Sequence, residues 1–117
     1  MGKVTTHVLD TARGMPASGL VLEVWREVGG QWSKLNAAKT NEDGRLDSPA
    51  IADGELAVGS YEFRFHVAAY FRAAGVDLPE QPFLDVVPIR FGVADAEAHY
   101  HVPLLVSPYS YSTYRGS

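Results

Sequence analysis

The chain reads as an all-β sandwich, and three observations predict it. Apolar and polar residues alternate over about seven short runs instead of recurring at helical spacing. Turn-forming pairs (Gly29-Gly30, Asp43-Gly44, Asp53-Gly54, Ser107-Pro108) punctuate those runs. Only one segment favours a helix. At 117 residues the chain is large enough for one modest hydrophobic core, so residues 1–117 are expected to form a single domain.

The elements follow in order. Val4 to Leu9 is a β-rich run closed by Asp10, Thr11, Arg13 and Gly14. Leu20, Leu22 and Val24 alternate with Val21, Glu23 and Trp25, the pattern of a strand with a buried face. Gly29-Gly30 is a strong hairpin signal, with Trp32 to Ala37 as the returning strand. Lys39 to Leu46 is a polar turn with Asp43-Gly44 at its tip, and Ala50 to Gly59 reads as irregular. From Ser60 to Val67, Tyr61, Phe63 and Phe65 share one face, with Glu62, Arg64 and His66 on the other. The period then changes. Val67 to Ala74 favours one or two helical turns stopped at Gly75, too short to stand without packing on something. Pro79 and Pro82 mark a loop, and Val86 to Val93 is a strand weakened or placed at an edge by Pro88. Ala98 to Val106 and Tyr109 to Tyr114 complete the set, with Ser107-Pro108 as the corner between them.

Composition excludes several classes of function. There is no cysteine, hence no disulfide frame or thiolate chemistry. The formal charge of −4, with Lys and Arg scattered, argues against a nucleic-acid partner. No apolar stretch approaches the roughly 20 residues that span a bilayer, so no membrane role is expected. The first ten residues lack the apolar run of a secretory signal, which predicts a cytoplasmic protein.

Chemistry has few places to sit. The histidines are His7, His66, His99 and His101. His7 shares a strand face with Thr5, while Thr6 and Val8 point the other way. His99 and His101 also share a face, and their spacing suits a zinc pair, acid–base use or plain hydrogen-bonded histidines. His66, on the outward face with Glu62 and Arg64, reads as structural or surface. Asp10 suits a turn cap. Arg45 and Arg115 each have a plain reading as solvated charges. If two histidines and an arginine converge with no serine nucleophile, direct attack by activated water is the chemistry that results.

The opening TTHVLD (Thr5 to Asp10), the turn TNEDGR (Thr40 to Arg45) and the run YHVPLLVSPYSYSTYRGS (Tyr100 to Ser117) together resemble the 5-hydroxyisourate hydrolases of the transthyretin-like family. The terminal YRGS is the most specific signal, and the resemblance extends over essentially the whole chain. It implies a sandwich of two four-stranded sheets with one short helix, assembled as a homotetramer whose sites lie at the dimer–dimer interface. It implies that His7, His101 and Arg45 are catalytic, and that Tyr114, Arg115, Gly116 and Ser117 line and close a substrate pocket. Neither cofactor nor metal is implied. The implied reaction opens the C6–N1 bond of 5-hydroxyisourate, in purine and urate degradation, by histidine-activated water attack on the C6 carbonyl. Its product is 2-oxo-4-hydroxy-4-carboxy-5-ureidoimidazoline. Transthyretin itself replaces both histidines and the arginine and lacks the tail, so the resemblance points to an enzyme and away from a hormone carrier. Gly116 is expected to let the backbone pass close to a ligand or a neighbouring subunit. His99 stays outside the catalytic set.

Overall fold

In a computed structural model, which describes residues 2–117, the chain forms ten strands and one helix. They are β1 (Lys3–Thr5), β2 (Val8–Asp10), β3 (Met15–Pro16), β4 (Val21–Val28), β5 (Gln31–Lys39), β6 (Gly59–His66), α1 (Val67–Ala73), β7 (Val86–Val93), β8 (His99–His101), β9 (Leu104–Val106) and β10 (Tyr111–Thr113). Two four-stranded sheets, ordered β5-β4-β6-β7 and β10-β9-β2-β3, make the sandwich, and β1 pairs with β8 in a two-stranded extension.

The first sheet follows the alternation in the sequence. Leu22 and Val24 of β4, with Leu20 just before it, are fully buried, as are Tyr61, Phe63 and Phe65 of β6. They meet Val4, Val8, Leu104 and Val106 from the other side, forming one core. β7 pairs only with β6, and its Pro88 is exposed, so the missing N–H is tolerated at an edge. The outward face of β6 is more crowded than its pattern suggests. Glu62 is buried beneath Arg64 and Arg90, which donate to its two carboxylate oxygens at 2.6 and 3.1 Å. His66 pairs with Glu23 at 2.7 Å.

The run expected from Val4 to Leu9 is divided into β1 and β2, and the run from Ala98 to Val106 into β8 and β9. Both pairs run parallel in one continuous register: Thr5 lies opposite His101, and Val8 opposite Leu104. The ladder bonds flanking Pro103 are made, the Val102 N–H donating to the Thr5 carbonyl and the Leu104 N–H to the His7 carbonyl, both at 2.9 Å, so the interruption falls between them at Thr6. There the buried Thr6 hydroxyl donates to the Val102 carbonyl at 2.7 Å. The break thus lies beside the residues on which chemistry was expected.

Helix α1 ends one residue earlier than expected and buries Val67, Ala68, Tyr70 and Phe71. Its anchor is a cluster built on Asp10. Asp10 accepts the Arg13 N–H at 3.0 Å, the Arg13 side chain at 2.9 Å and the Tyr70 hydroxyl at 2.8 Å. The turn cap expected of Asp10 therefore also ties the helix to β2. Burial alone would raise the Asp10 pKa, but the hydrogen bonds from Arg13 and Tyr70 outweigh it and hold the carboxyl below its ordinary value. No helix among the described residues is long and apolar enough to cross a membrane.

Candidate active site

Arg45 is aimed by the turn before it. Asn41 Oδ1 accepts the N–H groups of Asp43 and Arg45, at 2.9 and 3.1 Å, and the Asn41 N–H donates to the Arg45 carbonyl at 2.7 Å. Gly44 occupies the tip with φ +75°, and a Cβ there would lie 2.3 Å from the Val8 carbonyl oxygen. Only glycine satisfies both the left-handed backbone and the close approach. The Gly44 carbonyl accepts the Val8 N–H at 2.8 Å, and this seats the turn on β2 so that Arg45 pairs antiparallel with His7.

His7 is oriented by the same turn. Its Nε2 lies 2.8 Å from the Asp43 carbonyl oxygen. A carbonyl only accepts, so Nε2 carries a proton, and the nitrogen able to offer a lone pair is Nδ1. His101 approaches from β8 and is held differently, with Nδ1 lying 2.9 Å from the Thr5 hydroxyl. Burial, then the nearby Arg45, His7 and His99, hold the His101 pKa below the ordinary imidazole value. The ring is therefore neutral near pH 7, the form able to take a proton.

A cleft of about 460 Å³ opens over these groups. Its lining includes Arg45 and Asp47 from the turn, His99 and His101 from β8, Thr5 from β1, and Ser117. His7 does not line it but pairs through its backbone with Arg45, which does.

The tail divides between two places. The Gly116 N–H donates to the His101 carbonyl at 2.8 Å, and a Cβ on Gly116 would lie 2.5 Å from His101 Cδ2. The glycine therefore passes against the histidine ring itself. Ser117 reaches the cleft. Arg115 instead stacks on Tyr100, its guanidinium carbon 4.1 Å from the ring centroid, and joins Tyr114 in lining a second cavity beside β7.

Comparison with known proteins settles which family this arrangement belongs to. Residues 4–116 match the HIUase/Transthyretin family. The chain belongs to that family. It is 56% identical over 117 residues to the 5-hydroxyisourate hydrolase of Ralstonia nicotianae, covering 100% of both chains. Among solved structures it superposes on (S)-allantoin synthase with TM-score 0.92 and 45% identity, over 99% of this chain and 44% of that one. Sea bream transthyretin in complex with thyroxine superposes with TM-score 0.85 and 28% identity, over 97% and 94% of the two chains.

Within this HIUase/transthyretin fold, residues far apart in sequence come together: Arg45, His101 and Ser117 line one cleft, and His7 adjoins it by pairing with Arg45. In the single chain, Tyr114 and Arg115 do not reach it. His99, set aside on sequence grounds, faces the cleft and shares Thr5 with His101. Sequence reasoning placed Thr5 on the face of His7 but gave it no role. Its partners are set by the parallel β1–β8 pairing, which no local pattern announces. Asp47 is likewise new, bound at 3.1 Å by the side-chain amide of Asn41. No group of three or more His, Cys, Asp or Glu converges among the described residues in a way that could hold a metal ion.

Proposed function

We propose that the cleft hydrolyses 5-hydroxyisourate to 2-oxo-4-hydroxy-4-carboxy-5-ureidoimidazoline. The observation that carries this reading is the meeting of the His101 imidazole and the Arg45 guanidinium at one cleft, with His7 paired to Arg45 beside it and both rings held by hydrogen bonds. His7 and His101 position a water and take its proton as the oxygen attacks the C6 carbonyl. Arg45 sits where its fork of donors holds the planar, oxygen-rich edge of the substrate and favours charge developing on the carbonyl oxygen. Collapse of the intermediate breaks C6–N1, and the proton taken from water passes to N1. Ser117 supplies a polar group at the rim. The 5-hydroxyisourate hydrolases among the relatives support the choice of substrate.

The chain is further proposed to assemble as a homotetramer with these sites at the dimer–dimer interface. The unpaired outer edge of β7 and the exposed Tyr109, Tyr111 and Tyr114 around β10 are surfaces suited to subunit contact. In such an assembly Tyr114 and Arg115 close the pocket from the second cavity.

The test is hydrolysis of freshly generated 5-hydroxyisourate in water enriched in oxygen-18. The expected result is one labelled oxygen in the carboxylate formed from C6, produced faster than without protein. An enzyme-accelerated product without label in that carboxylate would rule out attack by water. Sedimentation in the same buffer should give four times the chain mass, and a monomer would remove the interface proposal.

A further inference from the structure

Between the two histidines of β8 lies a single hydroxyl. Thr5 Oγ1 is 2.8 Å from Nε2 of His99 and 2.9 Å from Nδ1 of His101. The geometry follows from register: β1 and β8 run parallel with Thr5 opposite His101, and the two histidines project from the same face with ring centroids 6.5 Å apart. A threonine hydroxyl has one proton and two lone pairs, so it can donate to only one of the rings.

The choice matters because of how His101 is held. Its Nδ1 is against Thr5, and its Cδ2 is against Gly116. The edge left for the cleft is Cε1–Nε2. If Thr5 donates to His101, Nδ1 is the lone pair, Nε2 carries the proton, and the ring cannot accept one from water. If Thr5 donates to His99, it accepts Nδ1–H from His101, and the Nε2 lone pair faces the cleft.

We propose that Thr5 is a positioning residue which, by donating its hydroxyl hydrogen bond to His99, holds His101 in the tautomer whose Nε2 lone pair faces the cleft. One observation selects this arrangement and a second permits it. Arg45 lines the cleft on which the Cε1–Nε2 edge opens, and a positive field stabilises a lone pair there over an N–H. His99 is exposed, so when its Nε2 accepts from Thr5, its Nδ1–H is satisfied by water in either state of the site. The relay reverses when His99 gains a second proton, since Nε2 must then donate to Thr5. The other groups facing the pair are Lys3, opposite His99 in register, His7 and Arg45 beside His101, and Asp47 on the cleft wall. The inference rests on the hydrolase reading for its catalytic consequence, but the tautomer is measurable without any substrate.

Imidazole nitrogen shifts of His101, read by nuclear magnetic resonance at neutral pH, should show Nδ1 protonated and Nε2 bare in the wild-type protein. Thr5→Val keeps the shape and removes the hydroxyl, and the two tautomers should then be mixed. In 5-hydroxyisourate hydrolysis, kcat should fall roughly ten- to a hundredfold, part of what acid–base catalysis contributes, with KM within twofold. Thr5→Ser should restore both readouts. His99→Leu, at an exposed position, should shift the tautomer in the same direction as Thr5→Val. A wild-type ring protonated at Nε2, or a Thr5→Val enzyme with unchanged tautomer and kcat, overturns the proposal. If the wild-type protein leaves 5-hydroxyisourate at its uncatalysed rate, the hydrolase reading fails instead, while the nitrogen shifts still decide the tautomer.

Discussion

Replacing Gly116 by alanine puts a methyl carbon 2.5 Å from His101 Cδ2 and 3.1 Å from both Cβ and Cγ of the same side chain. Carbon atoms pack best at about 3.5–4.0 Å, so something must move by roughly 1 Å. The backbone conformation of Gly116 is not among the positive-φ glycines, so the contact alone is at issue. Two movements relieve it. The ring swings off Thr5, or the tail lifts and takes Ser117 out of the cleft. Either displaces a group that the mechanism needs, and a misplacement of about 1 Å at reacting groups costs on the order of a hundredfold in rate. Little core packing is at stake, because the tail residues around it are exposed. The expectation is kcat/KM on 5-hydroxyisourate about a hundredfold below wild type, with an unfolding midpoint in urea that does not change. Activity within threefold of wild type, in a folded protein, would show that contact between the tail and His101 plays no part in the reaction.

Other outcomes follow from the same geometry. The Arg45 side chain is exposed and makes no hydrogen bond among the described residues, so Arg45→Ala should fold normally. It should nonetheless lose about 3–4 kcal/mol of transition-state stabilisation, and a loss under threefold would remove the residue from the mechanism. Arg45 also bears on the titration of His101, since a positive neighbour disfavours the imidazolium. A proton-resonance titration of His101 should have its midpoint below the ordinary imidazole value and move upward in Arg45→Gln. A midpoint that stays put would remove Arg45 from the causes and leave burial with His7 and His99. Tyr70→Phe removes a donor from the buried Asp10 carboxylate and should cost about 1.5–3 kcal/mol near pH 7. The folded pKa of Asp10 is depressed, so its contribution is present above the unfolded value of about 3.9 and is lost as pH falls through the folded one. Urea unfolding should therefore show the gap between wild type and Tyr70→Phe narrowing in strong acid, and a gap independent of pH would separate Tyr70 from Asp10.

The parts of this fold that were legible in the sequence are those set by local physics. The period-2 alternation of β4 and β6, the stop at Gly75 and the edge position of Pro88 all follow from neighbours along the chain. What stayed hidden depends on pairing between distant segments. The break between β1 and β2 is invisible in Val4 to Leu9, because it falls where the Thr6 hydroxyl meets the Val102 carbonyl of a strand distant in sequence. The two-residue β3 has no signal of its own and exists because it pairs with β2. For the candidate site, residue types and the turn that aims Arg45 could be read directly. The meeting of Thr5 with His99 and His101 could not, since it depends on a parallel register between the two ends of the chain. Gly116 was expected to give close approach, and the structure names its neighbour: the His101 ring.

The measurement that bears most directly on the whole account is the ultraviolet decay of freshly generated 5-hydroxyisourate, followed with no protein, wild-type protein, His101→Asn and a chelator. The account predicts decay well above the spontaneous rate with wild type, unaffected by the chelator, and reduced close to background in the variant. Decay at the spontaneous rate with folded wild-type protein, or full activity in His101→Asn, would contradict it.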